Sequence, residues 1–291
     1  MIEWINDFFG ITNSVSVPTL ISIIVFVTGG TVNYLFFELK AFNKRKSNRE
    51  TFRNLLKEVT TDLRIKERNL NKFYPQINIE REEARRFNHK NITYLDTIFD
   101  FNFSEIYSSF QKKHFFSFNR KLKSKAFHRI WSLLKKHQFY EIKLIEYLES
   151  FHNSFNKELE EYSFQMEKYR ELRAENYHNY EIDSVLDEDE KDETIFYLGI
   201  QEEIWKSWLN LGEIRTHHYY SYHKLVIPLL ELNRRYSHLP ITLDFANILV
   251  LCELQFRQME QITESYKSIF KDYYLGYRRD SKLLKKYLEF I

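Results

Sequence analysis

Carboxylates and imidazoles at helical spacing are where catalysis or metal binding would begin, and this sequence offers two such pairs. Glu149 with His152 and Glu175 with His178 each show the E-x-x-H spacing that puts both groups on one helical face, as in di-iron bundles. Both pairs fall in one long helical stretch, about 39 Å apart, so without a hairpin between them they cannot share a metal. The densest polar and aromatic cluster is RTHHYYSYH, from Arg215 to His223. Its histidines are the right type to ligate a metal or to move protons near neutral pH. No H-x3-H is present, however, and His218 and His223 are splayed by about 140° on a helix. The expected role is structural, with tyrosine and histidine tips bonded between helices. A single cysteine, Cys252, excludes an intramolecular disulfide and any Cys-based zinc site. The expectation is therefore no metal and no small-molecule cofactor.

The segment Arg173-Ala-Glu-Asn-Tyr-His178 has the form R-x4-H. It resembles the catalytic motif of HEPN ribonucleases, helical domains in which paired arginine and histidine cleave RNA at a dimer interface. The resemblance covers six residues and implies Arg173 and His178 as catalytic groups. It departs from that family at Ala174, where a polar residue is usual. With 18 arginines and 10 histidines in 291 residues, about 0.6 matches arise by chance. Other activities are excluded outright. Six glycines leave no P-loop, no G-x-G-x-x-G and no G-x-S-x-G, which removes nucleotide-driven motors, dinucleotide oxidoreductases and α/β-hydrolases.

Between Glu105 and Glu141 there is no acid, while Lys112, Lys113, Arg120, Lys121, Lys123, Lys125, Arg129, Lys135 and Lys136 all occur. Phe115, Phe116, Phe118, Phe127 and Trp131 are interleaved with them. Cations neutralise phosphates and aromatics stack on bases, so nucleic acid is one candidate partner. Anionic lipid is a second. A solvated face balanced by the acids near 181–193 is the plainer alternative. The formal net charge is only +2, so any basic surface must come from such local clustering.

The elements that would position these residues are helices. Glycine and proline together number 10, and the 123 residues between Pro75 and Gly199 contain neither. Few β folds turn without them, so the expected class is all-α. Three stretches carry a mostly apolar pattern at alternating steps of four and three. They are Phe52, Leu56, Val59, Leu63, Lys66, Leu70, Phe73; then Phe155, Leu159, Tyr162, Met166, Tyr169; then Phe245, Leu249, Cys252, Phe256, Met259, Thr263, Tyr266, Phe270, Tyr273. This is a seam along one face of each helix, with aromatics too bulky for a two-stranded zipper. Coiled-coil-like long helices packed antiparallel in one bundle are expected. Pro75, a turn near Phe101–Ser104, the acidic stretch 181–193, Gly212, Pro240 and Gly276 are the expected breaks. The basic amphipathic C-terminus, Arg278–Ile291, is expected to close the bundle.

One segment stands apart. From Phe8 to Phe37 no residue is charged, and residues 16–37 are mostly Ile, Val, Leu and Phe. About 20 apolar residues span a hydrocarbon core of roughly 30 Å. A cleaved signal peptide would need a basic leading region, but Glu3 and Asp7 stand there, and no small-residue cleavage site follows. Pro18 is expected in the first turn of the span. Lys40, Lys44, Arg45, Lys46, Arg49 and Arg53 outnumber Glu38 and Glu50 beyond it, so the positive-inside rule puts the C-terminal body in the cytoplasm. Residues 2–11, with Trp4, Phe8 and Phe9, would lie in the outer interface. Gly29, Gly30 and Asn33 inside the span suggest a close helix–helix contact and an oligomer. Phe245–Cys252, the best later candidate, is too short to cross.

The expected organisation is thus an outer segment at 1–15, a transmembrane helix at 16–37, a stalk helix at 38–75 continuous with it, and a cytoplasmic helical domain at 76–291. The expected location is the inner (cytoplasmic) membrane. The expected function is non-enzymatic, through protein contacts or self-association. In layout alone the chain resembles membrane effectors and sensors of bacterial phage-defence loci.

Overall fold

The computed structural model describes residues 4, 7–8, 13–80, 87, 92–110, 120–180 and 188–290, with side chains at 13–17, 19, 120, 177–180 and 188–191 outside the description. Of these, 92% are helical and none is in a strand. The elements are α1 (Asn13–Phe73), α2 (Tyr94–Phe99), α3 (Phe103–Phe110), α4 (Arg120–Tyr180), α5 (Glu188–Leu209), α6 (His218–Ser221), α7 (Ile227–Arg235) and α8 (Ile241–Leu288). Short 3-10 turns follow α1 (Tyr74–Gln76) and precede α6 (Gly212–Thr216). A π turn, Tyr222–Val226, joins α6 to α7. There the N–H of Ile227 donates to the carbonyl of Tyr222, widening the helix just before Pro228. Proline lacks an N–H and crowds the carbonyl four residues back, and a widened turn absorbs both effects.

Two compact units divide the chain. The first draws on Met1–Asp62, Ile92–Lys135 and Lys282–Ile291. Its core is aromatic. Phe52 of α1 meets Phe110 of α3 at 5.8 Å between ring centroids and Phe127 of α4 at 5.6 Å. Phe103 packs edge-on against Trp131 at 5.1 Å, and Phe99 does the same at 5.4 Å. Asn102 starts α3, its side-chain oxygen accepting from the Ser104 N–H at 2.9 Å. That is the turn expected near Phe101–Ser104.

The second unit draws on Leu63–Asn91 and Lys136–Ser281. Here α4 and α8 run antiparallel. Tyr140 lies against Tyr277, Phe151 against Tyr266 and Tyr169 against Phe245. The end of α1 joins α8, with Phe73 5.2 Å from Phe270. Towards the other end, α5 and α7 complete the packing. Tyr197 Oη donates to Asn233 Oδ1 at 2.6 Å, and Gln201 Nε2 donates to Tyr169 Oη at 2.8 Å.

The seams are the buried faces. All seven positions from Phe52 to Phe73 are buried, Lys66 included. Tyr162, Met166, Tyr169 and the run from Phe245 to Thr263 are buried too, with Leu159, Tyr266 and Tyr273 at the edge. The uncharged N-terminal stretch behaves oppositely. From Ile21 to Phe37 its side chains are exposed all round, Phe26 to 82%, and none of the apolar window is buried.

Three expectations need correction. Gly276 does not break a helix, because α8 continues through it to Leu288. A Cβ at Gly276 would stand 3.2 Å from the Tyr140 ring, so glycine is there for close approach. Of the acidic stretch, 181–187 lies outside the described residues, while 188–193 forms the first turns of α5, where carboxylates suit the positive end of the helix dipole. Helix α1 is described from Asn13, which puts Pro18 in the second turn of its described part.

The two faces of α1 predict opposite responses to one change. Phe52→Ala empties a fully buried site and should cost about 3–5 kcal/mol in denaturant unfolding of the chain. Phe26→Ala should leave the unfolding midpoint where it was, since that side chain meets no core.

Candidate functional site

The second unit holds buried charge. Lys66 of α1 is 3% exposed and pairs with Glu141 of α4, whose other oxygen accepts from Tyr277 Oη at 2.6 Å. Burial, then the Glu141 carboxylate, push the Tyr277 phenol up. Nearby, Asp280 of α8 receives Lys136 Nζ at 2.5 Å and Arg279 Nε at 3.1 Å, with His137 Nε2 at 3.4 Å. Burial holds the His137 imidazole below its ordinary 6.5, against the pull of Asp280. Burial also drives the Asp280 carboxyl up, but His137, Lys136 and Arg279 outweigh it and hold the group below the usual carboxylate range. Composition does not mark these residues out. The register does: Lys66 occupies a seam position, and Asp280 falls on the continuation of the α8 seam through Tyr273 and Tyr277.

Arg173 is engaged from two sides. Its guanidinium pairs with Glu202 of α5 and lies 4.6 Å from the Trp205 ring. That makes it a clamp between α4 and α5. His178 falls in the last turn of α4, with its side chain outside the description. The E-x-x-H pairs do lie on one helix, α4, and no cluster of three metal-ligating side chains exists among the described residues.

The histidine and tyrosine cluster is split by function in the fold. His218 is buried, with Nε2 2.8 Å from the Ile79 carbonyl oxygen. His217 Nδ1 accepts from the Tyr219 N–H at 3.2 Å and so caps α6. Tyr162 Oη donates to Ser221 Oγ at 3.1 Å, and Tyr222 stacks on Phe256 at 3.8 Å. His223 instead lines an open groove of about 590 Å³ with Tyr219, Glu80, Glu260 and Glu264. The Cys252 thiol is buried and its pKa is pushed up to about 12 by that burial, so it is an inert core group.

In the first unit the basic segment folds as the start of α4. Lys112 and Lys113, with Phe115, Phe116 and Phe118, lie outside the described residues, as does the side chain of Arg120. Lys121, Lys123, Lys125, Arg129 and Lys135 are exposed; Lys136 is half-buried and belongs to the Asp280 cluster. The aromatics between them are used internally. Phe127 is fully buried, and Trp131 is packed by Phe52, Phe99 and Phe103. Phe99, Phe101, Phe103, His128, Trp131, Ser132 and Lys135 leave a shallow hollow of about 680 Å³. Arg129 reaches the Tyr287 hydroxyl of α8 at 3.4 Å, and Leu284 is buried, so the C-terminal turns are packed as expected.

Within the apolar stretch, Gly29 and Gly30 have nothing within 4 Å of an added Cβ, and Asn33 is exposed. Ser22 Oγ donates to the Pro18 carbonyl at 2.8 Å and Thr31 Oγ1 to that of Val27, which satisfies both hydroxyls inside the helix. Trp4 and Phe8 are exposed and stacked at 5.2 Å. Compared with known proteins, the chain matches no family model, no curated protein and no solved structure.

The His137–Asp280 pair predicts the pH dependence of stability. Both groups have folded-state pKa values below their unfolded ones. The unfolded chain therefore binds more protons, and stability is lost as pH falls. Unfolding midpoints should hold above about pH 7, decline from 6.5 downwards, and drop again in the carboxylate range. His137→Gln should flatten the first decline in a pH series and keep the second.

Proposed function

We propose that this chain is a single-pass membrane protein whose helical body acts through protein contacts, one of them with a second copy of itself. The observation that carries the anchor is the exposed apolar surface of α1. One helix among the described residues is long and apolar enough to cross a membrane, and it is this one. A soluble protein seldom exposes so large a contiguous apolar surface. The basic residues just beyond it, Lys40 to Arg53, support a body on the cytoplasmic side of the inner membrane, as the positive-inside rule would have it. Self-association is supported by the open face at Gly29 and Gly30, where a second backbone has room to approach, and by Asn33, whose amide would find its partner there.

Alkaline carbonate washing should leave the chain in the membrane pellet; release into the supernatant would overturn the anchor. A C-terminal fluorescent-protein fusion should glow and a C-terminal alkaline phosphatase fusion should stay silent, with the reverse pattern inverting the orientation. The particle in mild detergent should have the mass of more than one chain. Gly29→Leu with Gly30→Leu should reduce it to one, and a wild-type monomer would remove self-association.

A further inference from the structure

We propose that the basic end of the first unit, Lys40, Lys44 and Lys46 of α1 with Lys121, Lys123 and Lys125 of α4, is a binding surface for the anionic headgroups of the leaflet that α1 enters. The proposal rests on the anchor reading and names the lipid class recognised beside it.

Two sets of contacts bring these lysines together. Lys44 Nζ is 3.2 Å from Glu105 on α3, and two residues further Tyr107 Oη is 2.8 Å from Ser124 Oγ on α4. Phe52, two turns beyond Lys44, packs on Phe127, one turn beyond Ser124. Going back along α4 from Phe127 to Ser124 therefore leads towards the Lys44–Glu105 pair. The first turns of α4 stand beside the stretch of α1 that follows the apolar window. Lys44 is seven residues past Phe37, about 10 Å along the helix, which is a few Å beyond the headgroup layer and about one Debye length from the hydrocarbon edge.

The charges are available. Lys40, Lys46, Lys121, Lys123 and Lys125 are exposed and form no ion pair among the described residues, and only Lys44 is paired. Each lysine at an anionic surface raises binding about five-fold. Nucleic acid is the weaker match, because Phe127 is fully buried and Trp131 is taken up by packing against Phe52, Phe99 and Phe103, which leaves little ring area for stacking on bases.

The test uses the full chain reconstituted into vesicles of equal phosphatidylcholine and phosphatidylglycerol, then extracted in mild detergent with its bound lipid counted. Wild type should retain phosphatidylglycerol several-fold over phosphatidylcholine, and 0.5 M salt during extraction should abolish the excess. Lys121→Glu, Lys123→Glu and Lys125→Glu together should bring the ratio close to that of the vesicles; the Lys→Gln triple replaces it if helicity by circular dichroism falls. A wild-type ratio equal to the vesicles, or an excess untouched by the triple change, overturns the proposal. So does tight single-stranded oligonucleotide binding by the vesicle-held chain that the triple change removes while lipid stays at the bulk ratio. Failure to enter vesicles at all would instead sink the anchor reading.

Discussion

The demand that apolar surface leave water acts on a single uninterrupted helix, α1, in two different ways. Between Ile21 and Phe42, thirteen large apolar side chains point in every direction, and all are exposed. Between Phe52 and Phe73 the apolar side chains keep to one face, and that face is buried. Burying such a side chain is worth about 1.5–3 kcal/mol, so leaving the first group in water forgoes roughly 20 kcal/mol or more. That exceeds the net stability of a typical domain, about 5–15 kcal/mol. Hydrophobicity all round a helix suits a lipid solvent, and a stripe suits a protein core. The change from one to the other, within about ten residues of α1, sets where the buried core of the first unit begins.

What was legible in the residues follows from the same periodicities. The all-helical class, the continuity of α1 and the buried seams are all readable from spacing, because each is decided by which positions repeat. Gly276 shows where that reading fails. A glycine in a helical pattern signals either a break or a close approach, and only the position of Tyr140 across the interface selects the second. The acids at 188–193 suggest a break for a related reason: a charge run says the residues are solvated, and a helix N-terminus satisfies that as well as an interruption does. Arg173 is the sharpest case among the candidate sites. A motif of two residues in six describes spacing alone, whereas the partners that occupy Arg173, Glu202 and Trp205, come from another helix about thirty residues on. Tertiary pairing of this kind is not encoded locally.

The polar residues at seam positions supply what the apolar ones lack. A seam that repeats every seven residues is nearly as well satisfied after a slip of one heptad, since one buried Leu or Phe replaces another. Lys66, Glu141, His137 and Asp280 are not interchangeable in that way. Sliding α1 by a heptad would put the Lys66 ammonium opposite Leu148 and leave Glu141 without its cation. Sliding α8 would move Asp280 from His137 to the level of Leu144. An unpaired buried charge of this kind costs about 3–5 kcal/mol, a large share of the stability of a whole domain. A slip of α4 breaks both sets together, because they lie within two turns of one another on that helix. The pairs contribute little net stability over an apolar packing of the same shape. Their effect is to make one alignment of three long helices much better than its neighbours. This also explains the charge at the centre of seams built mostly from aliphatic and aromatic side chains.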